Sequence, residues 1–140
     1  MKIDKAVELF FQVNKMFHSS LKNSECVPLS MPQMATMMYI THSKDVLLKD
    51  VAKFLKVTNA SASALVQNLC EKGYVQKLEN KKDRRATSII VSDAGKAVLQ
   101  EGKKCMSKVI RPFLSDLSDT ELDSLVNIFQ KLIENGSKLK

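Results

Sequence analysis

The chain has 140 residues, 44% of them hydrophobic and 26% charged. That is the balance of one ordinary globular domain, and it excludes a disordered or fibrous protein. Net charge is +7, and residues 44–87 hold ten Lys and Arg against five Asp and Glu, which points to a polyanionic partner for that half. No apolar run reaches the about 20 residues of a membrane span. Asp4, Lys5 and Glu8 interrupt the N-terminus where a signal peptide would be apolar. A cytoplasmic protein with no membrane partner is expected.

The first helical pattern covers residues 4–21. Ile3, Ala6, Val7, Phe10, Val13, Asn14, Phe17 and Leu21 recur at helical steps, with Phe11 beside the stripe. So wide a stripe on a terminal helix predicts burial on two sides, against its own domain and against a partner subunit. A loop over 23–29 leads to Ser30-Met31-Pro32-Gln33, where Ser30 caps, Gln33 closes a capping box and Pro32 is tolerated in the first turn. That second helix runs to about Thr41.

A polar connection over 41–46 precedes KDVAKFL, in which Val51, Ala52 and Leu55 have helical spacing. Leu47 and Leu48 enter it without a Ser, Thr or Asp cap. Lys56-Val57-Thr58 turns the chain into another helix, from Asn59 or Ala60 to Lys72, with Ala62, Leu65, Val66 and Leu69 on one face and Gly73 as its stop. Two helices joined by so short a turn are a helix-turn-helix. Residues 74–79 and 87–92 are strand-like, separated by the charged loop Asn80-Lys81-Lys82-Asp83-Arg84-Arg85-Ala86. A basic hairpin after a helix-turn-helix makes a winged helix.

Ser92 or Asp93 then caps a long helix with Ala94, Val98, Gly102, Cys105, Val109 and Phe113 on one face. Pro112 kinks or ends it, having no N–H for the preceding turn. Ser118-Asp119-Thr120-Glu121 is a second capping box. The last helix carries Leu122, Leu125, Val126, Phe129, Leu132 and Ile133 and ends near Gly136, leaving 136–140 weakly ordered.

The run Asp83-Arg84-Arg85, five residues, then Val91-Ser92-Asp93-Ala94-Gly95 resembles the wing signature of the MarR family of transcriptional regulators, D-x-R, five residues, L-T-x-x-G. Val91 replaces the Leu and Ser92 the Thr. LVQNLCEKGYV is similar to the end of the family's recognition helix, and the flanking helices extend the resemblance over nearly the whole chain. The fold class expected is mainly α with a small β-hairpin wing (α+β). The resemblance implies a single MarR-like domain over 1–140. In it, 1–29 and 112–140 are dimerisation helices, 30–95 the winged helix-turn-helix lobe and 96–111 a connecting helix.

Asn59, Ser61, Ser63, Gln67, Asn68 and Lys72 lie on the non-core side of the recognition helix. Gln and Asn pair with adenine, and Ser serves several bases or a phosphate; the alternative is a merely soluble helix face. Many relatives carry Arg or Lys where this chain has Ala64 and Asn68, which removes Arg–guanine readout and leans towards adenine–thymine-rich sequence. Lys81, Lys82, Arg84 and Arg85 on the hairpin follow phosphates or enter a narrow minor groove. By the resemblance, Asp83 braces Arg85. Two recognition helices of a homodimer, about 34 Å apart, read a pseudo-palindromic operator in double-stranded DNA.

No catalysis, cofactor or metal site is expected. His18 and His42 fall in no triad or ligand spacing, and there is no Gly-rich phosphate loop. Three widely spaced cysteines, without a C-x-x-C pair, predict no disulfide framework. Cys26 and Cys70 are the candidate redox positions, each with the alternative of a small core residue. The resemblance also implies a small aromatic or amphipathic effector held where the dimer helices meet the lobe. Phe10, Phe17, Met34, Met37, Met38, Tyr39, His42 and Phe113 are its candidate lining. The expected protein is thus a dimeric, sequence-specific transcriptional regulator, a repressor released by a small ligand. A thiol-based redox regulator and a protein-binding winged helix that never touches DNA are the alternatives, and the basic hairpin tip favours DNA over the latter.

Overall fold

The computed structural model describes residues 1–26, 28–79, 82 and 86–139. Among the described residues there are six helices and two strands, in the order α1 (Lys2–Asn23), α2 (Met31–Thr41), α3 (Leu48–Leu55), α4 (Asn59–Glu71), β1 (Val75–Glu79), β2 (Thr87–Val91), α5 (Asp93–Leu114) and α6 (Asp119–Lys138). They fall into two compact units, one of residues 1–20 and 107–140, the other of residues 21–106. The second unit is a winged helix-turn-helix, as the pattern predicts.

In that unit the buried apolar residues form one core, from Met34, Met37 and Ile40 on α2 through Val51, Ala52, Ala62, Val66 and Leu69 to Val75, Ile89, Val91 and Leu99. The predicted faces of α3 and α4 are the ones buried. Each fully buried Val, Leu or Met stabilises the unit by about 1.5–3 kcal/mol relative to exposure. Ser30 caps α2 with Gln33 in a reciprocal capping box. α3 solves its missing cap differently: the Asp50 carboxylate accepts from the Leu47 N–H at 2.9 Å, so a residue in the first turn supplies the contact that position 47 lacks.

The turn between α3 and α4 is tight because Lys56 adopts the left-handed conformation, φ 56°, ψ 44°. Thr58 then caps α4, its hydroxyl accepting from Ser61 N–H at 3.1 Å. Gly73, at φ 80°, ends α4 in a Schellman pattern: Tyr74 N–H donates to Leu69 O and Gly73 N–H to Cys70 O, both at 2.9 Å. The strands pair antiparallel, Val75 opposite Val91 through Glu79 opposite Thr87. The 46–47 segment adds to the hairpin edge: Ile89 N–H donates to Val46 O, and Leu47 bridges Ser88.

Two residues of the wing signature acquire a physical reason. Ser92 is a joint: its N–H donates to Tyr74 O, its hydroxyl to Gly73 O, and it accepts from Gly95 N–H. A Cβ on Gly95 would lie 2.1 Å from Tyr74 O and 2.7 Å from Val91 Cγ1, so only glycine lets α5 start against the hairpin.

Three expectations need correction. Against the prediction of no disulfide framework, Cys26 and Cys105 are disulfide-bonded, with Cα atoms 5.5 Å apart. A separation of 79 residues hides this pairing, which exists only once the 24–30 loop lies beside α5. On α5 the buried positions are Gly95, Leu99 and Gly102; of the predicted face Gly102 is buried and Val98, Cys105 and Val109 are half-buried, while Ala94 and Phe113 are exposed, because the close approach at Gly95 turns the start of the helix one position. α6 runs through Gly136 to Lys138, with the Ser137 hydroxyl donating to Ile133 O. One glycine in an exposed last turn costs only about 1 kcal/mol. Pro112 lies two residues from the end of α5, whose last residue is Leu114.

The other unit contains α1 to Ser20, the end of α5 and α6. Phe17 and Phe113 meet edge to face, ring centroids 5.1 Å apart. Ser118 and Glu121 form the capping box of α6. Neither α1 nor α6 buries a single residue.

Candidate nucleic-acid interface

α4 buries Ala62, Val66 and Leu69. Ala60, Ala64, Gln67 and Glu71, at helical spacing, form the face opposite and all are exposed. Asn59, Ser61, Asn68 and Lys72 are exposed on its flanks, and Ser63 is half-buried. The centre of the face is therefore made of two methyl groups and one amide. Short side chains let a helix approach a groove closely, and alanine methyls suit the thymine methyl. Ala60 was not among the expected reading residues, because a polarity criterion passes over alanine; its spacing from Gln67 was the signal available.

Hydrogen bonds divide the expected readers. Gln67 Oε1 accepts from Lys77 Nζ on β1 at 2.9 Å. That bond takes one lone pair of the oxygen, leaving the other and the amide N–H groups of Gln67 to face a base edge. Asn68 Oδ1 accepts from Gln33 Nε2 at 2.7 Å, tying α4 to the start of α2. Lys72 Nζ donates to Pro28 O at 3.0 Å, tying its end to the loop before α2. Asn68 and Lys72 thus hold α4 in place as well as facing solvent. Lys77 and Gln33 are additional residues of the site that sequence reasoning missed; nothing in their local pattern links positions 10 and 35 residues from their partners.

On the wing, Lys82 is exposed and lies 4.0 Å from the Asp45 carboxylate. Lys81, Asp83, Arg84 and Arg85 lie outside the described residues. The residues expected to line an effector cleft occur in both units. Phe10 is exposed, and Phe17 packs on Phe113. In the winged unit, Met34 and Met37 are core side chains, Met38 and His42 are exposed, and Tyr39 stacks on Phe54 with ring centroids 4.4 Å apart. A separate cleft of about 540 Å³ lies between the end of α2 and the hairpin, lined by Ile40, Val46, Leu78 and Ile90 with Asp45 and Lys96. It contains none of the eight expected residues. Among the described residues no cluster of three or more His, Cys, Asp or Glu is arranged to hold a metal, and no helix is long and apolar enough to cross a membrane.

A profile of the MarR family matches residues 27–86, from the loop before α2 to the wing. That segment, from α2 through the helix-turn-helix to the hairpin, is thus similar to the MarR family. The HTH-type transcriptional regulator BilQ of Clostridioides difficile (strain CD3) is 32% identical over 90 residues, which span 64% of this chain and 61% of that protein's length. The HTH-type transcriptional repressor YetL of Bacillus subtilis (strain 168) is 29% identical over 114 residues, 80% of this chain and 68% of YetL. In fold, the chain matches a MarR family protein from Bacillus stearothermophilus with a TM-score of 0.86 over 97% of this chain and 96% of that one, at 13% identity.

Proposed function

We propose that this protein is a MarR-type regulator, a cytoplasmic homodimer that binds a pseudo-palindromic operator in double-stranded DNA and represses transcription until a small aromatic or amphipathic ligand releases it. The observation that carries the reading is the exposed face of α4, presented beside Lys77 in the most basic part of the chain. Ala60, Ala64 and Gln67 read base edges; Asn59, Ser61 and Ser63 flank them at the entry to the groove. Lys72, Lys82, Lys81 and Arg84 neutralise phosphates, and Arg85, braced by Asp83, enters the minor groove. Dimerisation is supported by the apolar surface of α1 and α6, where Phe10, Phe11, Val126, Phe129, Leu132 and Ile133 all stand more than half exposed. A monomer rarely leaves so many large apolar side chains of two helices in water.

The test is selection from a random duplex pool, followed by salt titration on the selected and a scrambled duplex. Lys82→Ala should weaken both and flatten the salt slope by about one unit per neutralised phosphate. Gln67→Ala should cost roughly 1–3 kcal/mol on the selected duplex and little on the scrambled one. No enrichment of any sequence would leave the protein-binding winged helix as the better reading.

A further inference from the structure

Lys77 is a charged residue on the apolar side of the hairpin. It stands opposite the buried Ile89, on the side of β1 that Val75 turns to the core. Lys77 is nevertheless exposed: its stem runs out towards α4, and its ammonium donates to Gln67 Oε1 at 2.9 Å. Among the described residues it forms no ion pair, so its charge is left for whatever meets α4. Gln67 lies between Ala64 and Glu71 on the exposed face of that helix, which puts the ammonium at the middle of the face. The fold has no need of a cation there, since an apolar side chain of the same length would cover Ile89 as well.

The hydrogen bond fixes the amide. An ammonium has donors and no acceptor, so the end of Gln67 that faces Lys77 is the oxygen, and turning the amide over would set donor against donor. The pair then offers the Gln67 N–H groups and the remaining Lys77 N–H groups, against the one lone pair left on Oε1. Base edges in the major groove meet such a set differently. Guanine shows the acceptors N7 and O6 side by side and thymine shows O4, whereas adenine shows N7 beside an amino group and cytosine an amino group alone. An amino group would meet the ammonium donor against donor. Resting on the reading of α4 as a helix that enters the major groove, we propose that Lys77 and Gln67 form one composite reader of guanine, in which Lys77 both positions the amide and donates to the base. The cation that α4 lacks at its centre comes from β1, so the site favours guanine where the helix alone leans towards adenine–thymine-rich sequence.

In the experiment the full chain, as parent and as Gln67→Ala, selects duplexes from a random pool. The base pair whose identity Gln67→Ala erases should be G·C in the parent's duplexes, and changing it to A·T should lower parent affinity by about fivefold or more. Replacing that guanine by 7-deazaguanine, which lacks N7, should weaken binding by about twofold or more. Replacing it by inosine, which keeps N7 and O6 and loses only the minor-groove amino group, should not. Lys77→Met keeps the stem and removes the donors, so discrimination between G·C and A·T should fall below about twofold. Lys77→Arg restores a donor-only cation and should keep the preference. The double variant Lys77→Met, Gln67→Ala should lose less than the product of the single losses, because either change disables the same unit.

The proposal is overturned if the base pair that Gln67 reads is A·T, or if 7-deazaguanine binds like guanine. It is also overturned if Lys77→Met weakens every duplex equally and keeps the preference, which is how a phosphate contact behaves. Single losses that multiply in the double variant would make Lys77 and Gln67 independent contacts and overturn the composite reader. A parent that selects a duplex on which neither Gln67→Ala nor Lys77→Met changes any base preference overturns this inference and leaves the DNA-binding reading intact. A parent that selects no duplex overturns that reading and this inference with it.

Discussion

The winged unit and the terminal helices handle apolar surface in opposite ways. In residues 21–106, Met37, Val51, Val66 and Leu69 are fully enclosed, and α2, α3, α4 and the hairpin supply one another's cover. α1 and α6, with 22 and 20 residues, have no fully buried residue. The difference teaches that similar helical periodicity has two physical meanings. In α4 the stripe is matched by neighbours in the same chain. In α1 and α6 much of it stands exposed.

The largest expected effect breaks the terminal side of that comparison. Replacing Phe129 and Leu132 by Ala removes two of the exposed apolar side chains of α6. Interface hot-spot truncations cost about 2–4 kcal/mol each, and a two-fold interface suffers each loss twice. Light scattering should find the variant monomeric at micromolar concentration, where the parent is dimeric, with the helical circular dichroism of the winged unit retained. A variant as dimeric as the parent would move the interface elsewhere.

Next comes the enclosed side. Leu69→Ala opens a cavity under the recognition helix and should lower unfolding free energy by about 2–5 kcal/mol in a urea titration, without changing the subunit affinity. Leu132→Ala alone should do the reverse. Reduction of Cys26–Cys105 should follow at about 2–4 kcal/mol, because the bond closes a long loop in the unfolded chain; equal melting with and without dithiothreitol would refute it. The smallest effect is local. Asp50→Ala leaves the Leu47 N–H without its 2.9 Å partner and should cost about 0.5–2 kcal/mol, as cap losses do.

What was legible in the sequence follows the same division. Local chemistry was readable: the Ser30–Gln33 and Ser118–Glu121 capping boxes, the Gly73 stop and the apolar faces of α3 and α4 are all set within a few residues. Gly95 was readable as a motif position, but its reason, the carbonyl of Tyr74, is tertiary. Hidden were contacts joining distant positions: Cys26 with Cys105, Gln33 with Asn68, Lys77 with Gln67, Lys72 with Pro28. None has a periodicity to betray it. Ala60 and Ala64 on the exposed face of α4 carry no polar group to mark them, although close approach to a groove needs small side chains.

The central claim is that two copies of this chain present two recognition helices to one DNA. Sedimentation equilibrium of the protein with a selected duplex tests it most directly. The account predicts a 2:1 complex, two 15.7 kDa chains on one duplex, in which insertion of about five base pairs between half-sites abolishes tight binding, since half a turn rotates the second site away. A 1:1 complex of a 15.7 kDa monomer, indifferent to that insertion, would contradict it.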